Sequence, residues 1–173
     1  MAEVTGGARL DAALREMAQR FASASVVRVG FLEDATYPDG TKVATIAALN
    51  NFGAPAAGIP PRPFFSNMIA AQSPGWGDKF AAVLTAADYD AQKSLELMGE
   101  GIAGQLREAI VDMTGPANSP VTDLLKERFP MGGVEFSDVM QARHDVAAGE
   151  TAAPGKPLVW TGHLLNSVGS EVE

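Results

Sequence analysis

The chain contains no cysteine and only two histidines among its 173 residues. The absence of cysteine excludes disulfide frameworks and metal sites built from thiolates. The sequence also has no apolar run near the roughly 20 residues that a membrane-spanning helix needs. Its first residues, Met1 to Val4, show neither the basic nor the apolar region of a secretion signal. We therefore expect a protein made in the cytoplasm, with no membrane partner.

Basic residues are scarce as well. Lysine and arginine number 13 against 21 aspartates and glutamates, which gives a net charge of −8. A protein that wraps nucleic acid needs a basic face, so this charge disfavours wrapping but permits a wall past which nucleic acid slides. Apolar residues make up 46% of the chain and charged residues 20%, as in folded globular proteins. The length suits one core, and we predict a single domain over residues 1–173.

Catalytic motifs are missing from the sequence. Neither His144 nor His163 lies in a zinc-binding or nucleophile-elbow motif, and there is no phosphate-binding loop. We expect His144 to be solvated and His163 to be structural or exposed. Glu96 and Glu100 are one helical turn apart, a spacing more typical of a solvated helix face than of a ligand pair. The sequence predicts no enzyme, no catalytic residue, no cofactor and no metal.

One motif resembles a cofactor site. Gly99, Gly101 and Gly104 have the G-x-G-x-x-G spacing of dinucleotide-binding loops. That motif has meaning only between a strand and a helix, whereas here helical apolar spacing runs straight through it from Leu95 to Ile110. We interpret the glycines as small residues that let another helix approach closely, or as a bend.

Apolar periodicity predicts most of the secondary structure. Period-two alternation predicts strands over residues 25–33 and 168–173, which we expect to pair with each other. The longest helix is expected to start at Asp88 or Asp90 and to reach Met113. The predicted class is α+β, with a small mixed or antiparallel sheet packed against a long helix and shorter helices, and an extended proline-rich loop. The other predicted helices cover residues 8–22 with one buried face, 41–53 with Thr41 as cap, 64–72 and 76–84.

The stretch from 118 to 157 is predicted to be a surface flap or insertion. Residues 118–130 suggest one or two helical turns, and residues 134–140 alternate like a strand. Residues 141–157 are rich in alanine, glycine and charge, which is typical of a loop.

Residues 59–63 form a stiff, proline-rich rod. Pro60, Pro61 and Pro63 fix their own φ angles and push the residue before each of them toward extended geometry. A stiff segment loses little entropy when it docks, and Arg62 and Phe64 offer a charge and a ring for a contact. Two interpretations stay open at this point. The rod is either an assembly element that grips a partner or a rigid connection fixed to the chain's own core.

Three segments in this order resemble the tail-completion and virion-morphogenesis proteins of tailed bacteriophages. The first runs from Val29-Gly30-Phe31-Leu32 through Tyr37-Pro38-Asp39-Gly40-Thr41 to Asn50-Asn51-Phe52-Gly53. The second is Ile59-Pro60-Pro61-Arg62-Pro63-Phe64. The third is Pro157-Leu158-Val159-Trp160-Thr161-Gly162-His163-Leu164-Leu165-Asn166-Ser167-Val168. Two departures stand out: the family usually has asparagine-glutamate where Asn50-Asn51 stands, and residues 118–155 exceed the family's usual connection.

The resemblance implies a structural virion protein, without enzymatic activity, that forms a homo-oligomeric ring at the head–tail junction. Such a ring, a hexamer or dodecamer, would complete the tail and contact neighbouring connector and tail-tube or tail-terminator proteins. Genomic DNA would pass through its lumen without sequence-specific binding. The alternative is a tail terminator or a transient assembly factor that is not retained in the virion. The predicted subunit-interface residues are Ile59, Pro60, Pro61, Arg62, Pro63, Phe64, Phe65, Trp160, Gly162 and Leu165.

Overall fold

The structure, a computed structural model, describes residues 7–21 and 26–173. Two strands and a series of helices follow one another along the chain. In order they are α1 (Gly7–Phe21), β1 (Val27–Phe31), α2 (Val43–Phe52), α3 (Phe64–Gln72), α4 (Trp76–Ala86), α5 (Ala91–Asp112), α6 (Pro120–Arg128), α7 (Phe136–Ala147), α8 (His163–Asn166) and β2 (Val168–Val172), with short 3₁₀ turns at Pro55–Ala57 and Ser73–Gly75.

The two strands pair antiparallel, as the sequence predicted. Val27 lies opposite Val172, and Phe31 lies opposite Val168. Side chains at alternate positions of β1, Val29 and Phe31, pack into the main core. A two-stranded sheet needs further packing to be stable, and the helices supply it. The molecule therefore belongs to the predicted α+β class.

The long helix α5 is the base on which the sheet lies. Asp90 caps it, because its Oδ1 accepts a hydrogen bond of 3.0 Å from the main-chain N–H of Lys93. Its apolar stripe includes Leu106 and Ile110, which are fully buried. They join residues from β2, α2 and α3 in one core. The prediction for this helix, including Asp90 as one of two possible caps, is confirmed.

Gly99 is where the sheet rests on α5. A Cβ built on Gly99 would lie 2.8 Å from Cγ2 of Val27 and 2.9 Å from Cβ of Ser170. The neighbour that needs the small residue is thus the sheet, not another helix as the sequence suggested. Gly101 and Gly104 have open space at that position. The glycine motif lies within a continuous helix, so it does not form a dinucleotide-binding loop.

Gly99→Ala should lower the free energy of unfolding by about 1–3 kcal/mol, because the added methyl forces the sheet away from α5. Gly101→Ala is the matched control. Its methyl meets nothing, and alanine favours the helix, so stability should rise by about 0.5–1 kcal/mol. Chemical denaturation of both variants measures the difference. Equal effects at the two positions would contradict the close contact between helix and sheet.

Two local predictions need correction. Residues 134–140 are not a strand: α7 starts there, capped by reciprocal bonds between Glu135 and Asp138. Thr41 does not cap α2, since that helix begins after Lys42 without a side-chain cap. The main-chain N–H of Thr41 instead donates to Oδ1 of Asp39.

Helix α1 forms as predicted, but its expected apolar face is not covered where the structure describes it. Leu10 is 62% exposed and Leu14 is also exposed. The side chains of Met17 and Phe21, and residue Ala22, lie outside what the structure describes. Ser25, the predicted first residue of the strand, lies outside it too.

Candidate functional site

The proline rod is anchored to its own chain. The main-chain N–H of Arg62 donates to the carbonyl oxygen of Asn50 at 2.7 Å, and Ile59 forms a bridge with Ala54. Gly53, with φ of 76°, lets the end of α2 approach the rod, since a Cβ there would lie 2.8 Å from the nitrogen of Pro61. The rod is fixed at both ends by contacts within the subunit. It ends in a tight turn and is not extended throughout, because Pro63 has a ψ of 50° and the main-chain N–H of Phe64 donates to the carbonyl oxygen of Arg62 at 2.7 Å.

Arg62 is buried inside the subunit, with 7% of its surface exposed. Its Nε donates to the carbonyl oxygen of Pro116 at 2.8 Å, and its Nη2 donates to that of Ala117 at 3.1 Å. Burial lowers the pKa of this guanidinium. The expectation that Arg62 is aimed at a partner is therefore wrong, because its donors are taken up by the connection that follows α5.

Phe64 is an internal anchor as well. It is 1% exposed, and its ring meets that of Phe31 edge-on with centroids 6.4 Å apart. A side chain this deeply buried does not form a subunit interface, so that expectation is wrong for Phe64. For Arg62 and Phe64, the second interpretation of the rod therefore holds: it is a rigid connection fixed to the chain's own core. Five other interface residues predicted in the rod or just after it are partly or fully accessible, and their interface role stays a prediction: Ile59, Pro60, Pro61, Pro63 and Phe65.

The predicted C-terminal interface residues lie at the surface or just beneath it. Trp160 is partly exposed, and its indole N–H donates to the carbonyl oxygen of Phe129 at 2.8 Å. Gly162 takes a positive φ of 79° just before α8, and Leu165 is half-buried against the main core. Trp160 and Gly162 line a cavity of about 630 Å³ between the C-terminal turn and residues 131–134.

His163 lines the same cavity, where it has a structural role as expected. Its Nε2 lies 2.9 Å from the carbonyl oxygen of Thr36, and its ring stacks on Tyr37 with centroids 4.5 Å apart. Burial and the nearby Asp39 carboxylate raise the pKa of the Tyr37 hydroxyl. His144, by contrast, is exposed on α7, which agrees with the expectation that it is solvated.

Residues 120–147 form a helical hairpin. Helix α6 agrees with the helical turns predicted for residues 118–130, and residues 148–157 lack regular structure as predicted, but residues 141–147 belong to α7 and not to a loop. Helices α6 and α7 pack on each other around a separate small core of Leu124, Leu125 and Ala142. Lys126 joins this hairpin to the C-terminal segment, since its Nζ donates to the carbonyl oxygens of Lys156 and Val159. Burial lowers the pKa of Lys126. The hairpin is therefore an ordered unit attached to the main core.

One face of the hairpin is apolar and uncovered. Phe136 is 78% exposed, and Met140, one turn later on α7, is exposed too. Met131, in the turn before α7, is 87% exposed. We call Phe136, Met140, Arg143 and Ala147 the α7 face, because their spacing places them along one side of the helix.

A second uncovered apolar surface is a groove of about 450 Å³ between β1 and α2. Helix α2 buries Val43 and Ala47 but exposes Ala44 and Ala48, the residues that follow them. Phe52, at the end of this exposed row, is 72% accessible. We call this surface the β1–α2 groove. Its lining includes Phe31, Leu32, Glu33, Ala44, Ala48, Phe52 and Phe65.

The groove also holds the unpaired edge of β1. Val26 and Glu173 exchange two main-chain hydrogen bonds, so by the antiparallel alternation Arg28 and Gly30 point their main-chain groups toward β2. The main-chain N–H and C=O groups of Val27, Val29 and Phe31 therefore point to the other edge of β1, away from β2. Among the described residues β1 pairs with β2 alone, so no strand pairs with that other edge. An open edge of this kind favours pairing with another polypeptide.

Sequence reasoning did not find this groove, although a signal was available. In α2, apolar residues recur every four positions in two adjacent rows, one starting at Val43 and the next at Ala44. A helix with two apolar rows covers the core with one and leaves the other for a second contact.

Residues 7–21 and 26–173 contain no group of three or more acidic or histidine side chains able to hold a metal ion. Over the same residues, no helix has the length and apolarity to cross a membrane. Comparison with models of known protein families, with curated proteins and with solved structures found no match.

Proposed function

We propose that this chain is a structural subunit of a tailed-bacteriophage virion, placed in a homo-oligomeric ring at the head–tail junction. The observation that carries the proposal is the number of separate apolar surfaces on one small chain. The β1–α2 groove, the α7 face and the exposed leucines of α1 lie on different elements. Monomeric proteins rarely expose large apolar patches, and such patches mark contact sites.

A ring subunit needs this arrangement. Each copy in a ring contacts its two neighbours through two different surfaces, because the interface is heterologous. A ring stacked between a connector and a tail needs further contacts above and below. A chain with several uncovered apolar surfaces meets this requirement, whereas a two-fold dimer needs only one.

The packing of the resembling segments supports the proposal. The first two segments that resemble tail-completion proteins are neighbours in sequence and the third lies far along the chain, yet each supplies residues to the main core: Val43, Phe64 and Leu164 are examples. They form one structural unit, as segments shared by a family should. The hairpin of residues 120–147 is added beside this unit, which suits a contact specific to one phage.

The proposed ring would carry DNA through its lumen without binding it by sequence. The net charge of −8 supports this role, because a negative wall repels the phosphate backbone and limits adhesion.

Mass spectrometry of purified phage particles tests the proposal. We expect peptides of this chain in particles that have been washed and separated from free protein, at the same few copies in every preparation. Presence in infected cells but absence from particles would instead identify a transient assembly factor. Absence from the particles would therefore overturn the virion role.

A further inference from the structure

We propose that the α7 face of one copy binds in the β1–α2 groove of the next copy around the ring. This inference rests on the proposed function, and it names the two surfaces that meet. Both are apolar, both are uncovered in the subunit, and they lie on different elements. A contact between unlike surfaces of identical chains is heterologous and can close into a ring.

The two surfaces are complementary in shape. The α7 face is a convex row in which Phe136 and Met140 project from one side of a helix. The groove is concave, with small alanines at Ala44 and Ala48 and the ring of Phe52 at its rim. Small residues in the wall leave room for large side chains from a partner. Methionine suits such a contact, since its flexible thioether adapts to an irregular surface.

The charges of the two surfaces also complement each other. Arg143 lies in the middle of the α7 face. Its guanidinium forms no ion pair with another described residue. Glu33 lines the groove, and its carboxylate likewise has no ion-pair partner among the described residues. Lys42 binds the main-chain carbonyl of Glu33 at 2.7 Å and not its carboxylate. An Arg143–Glu33 pair between copies would supply the missing partner to each.

Helix α1 is the competing occupant within the chain, and its charges fit less well. Its exposed leucines, Leu10 and Leu14, are apolar enough for the groove. The adjacent Arg15, however, already pairs with Asp11 at 2.8 Å. Arg9, also on α1, has no ion pair with another described residue, but it lies about 100° around the helix from Leu10 and so outside the row of exposed leucines. Arg28, which lines the groove, pairs with Glu173 at 2.8 Å. Arg143 lies within the α7 face itself, so it is the better match for Glu33.

Charge reversal tests the pairing in the full chain. Glu33→Arg alone and Arg143→Glu alone should each weaken self-association roughly tenfold or more, because like charges then face each other. The double variant Glu33→Arg/Arg143→Glu should recover most of the wild-type association. Sedimentation velocity over a range of protein concentrations measures it. Lys79→Glu and Glu108→Arg, on exposed positions of α4 and α5, are the matched controls and should have no effect.

Cross-linking provides an independent test. Because the chain has no cysteine of its own, only the introduced cysteines can react. Copies carrying Ala48→Cys are mixed with copies carrying Met140→Cys and treated with a short thiol cross-linker. We expect a mixed dimer, and a ladder of higher species when one chain carries both changes. Lys79→Cys in place of Met140→Cys should give none.

Several results would overturn the inference, and they differ from those that bear on the virion role. An oligomeric wild type with no response to charge reversal and no cross-link would place the ring contact elsewhere. A cross-link from Leu10→Cys to Ala48→Cys, with none from Met140→Cys, would make α1 the occupant. A chain that stays monomeric at all concentrations would mean that the β1–α2 groove binds a different protein and not a second copy. In each case, peptides in purified particles would still support the virion role.

Discussion

Phe64→Ala should lower the free energy of unfolding by about 3–5 kcal/mol, the largest effect expected of any single substitution considered for this chain. The ring of Phe64, the first residue of α3, is fully buried in the main core next to Phe31 of β1. Its removal leaves a cavity, because the rigid proline rod before it prevents the chain from closing around the gap. Urea denaturation monitored by circular dichroism measures the change.

Phe52→Ala is the matched control, with the same change in size at an exposed site. Because 72% of Phe52 is accessible, its loss should alter stability by no more than about 0.5 kcal/mol. It should instead weaken self-association, since Phe52 lies at the rim of the β1–α2 groove. Comparable losses of stability in the two variants would contradict the assignment of the Phe64 side chain to the core and of the Phe52 side chain to an interface.

Arg62→Ala should lower the free energy of unfolding by about 2–3 kcal/mol, because a buried side chain is removed and two carbonyl oxygens in part-buried hydrogen bonds lose a charged donor. These belong to Pro116 and Ala117. Arg62→Lys should recover only part of the loss, since an ammonium cannot reproduce the planar fork that reaches both oxygens. Thermal unfolding of the wild type, Arg62→Lys and Arg62→Ala should show stability decreasing in that order.

Arg28→Ala is the control for the loss of an arginine. Arg28 forms an exposed ion pair with Glu173, and such pairs contribute about 0–1 kcal/mol. If Arg62→Ala were as mild as Arg28→Ala and instead reduced self-association, Arg62 would bind a partner after all, as the sequence first suggested.

The elements that could be predicted from the sequence are those whose signal is local. The alternation of Val27, Val29 and Phe31 predicts a strand without knowledge of its partner. Helix α5 combines a long apolar stripe with a capping aspartate, Asp90. Helix α7 was missed because residues near its start alternate in hydrophobicity, while the capping box of Glu135 and Asp138 carries the opposite signal over only four residues.

The candidate site was harder to predict because its contacts are distant in sequence. Arg62 binds main-chain carbonyl oxygens 54 and 55 residues away, and a main-chain acceptor leaves no trace in side-chain identity. The groove is formed by two elements whose relative placement follows from the core. The rod was therefore recognised as stiff, but the surface to which it attaches could not be inferred.

The central claim is that the uncovered apolar surfaces of this chain serve to join identical copies. Native mass spectrometry of the full chain tests it most directly, because it counts subunits. We expect one closed oligomer with a fixed number of copies, and its loss when Phe52 and Phe136 are both changed to aspartate while circular dichroism stays unchanged. A monomer at every concentration, or an oligomer unaffected by that double change, would contradict the claim.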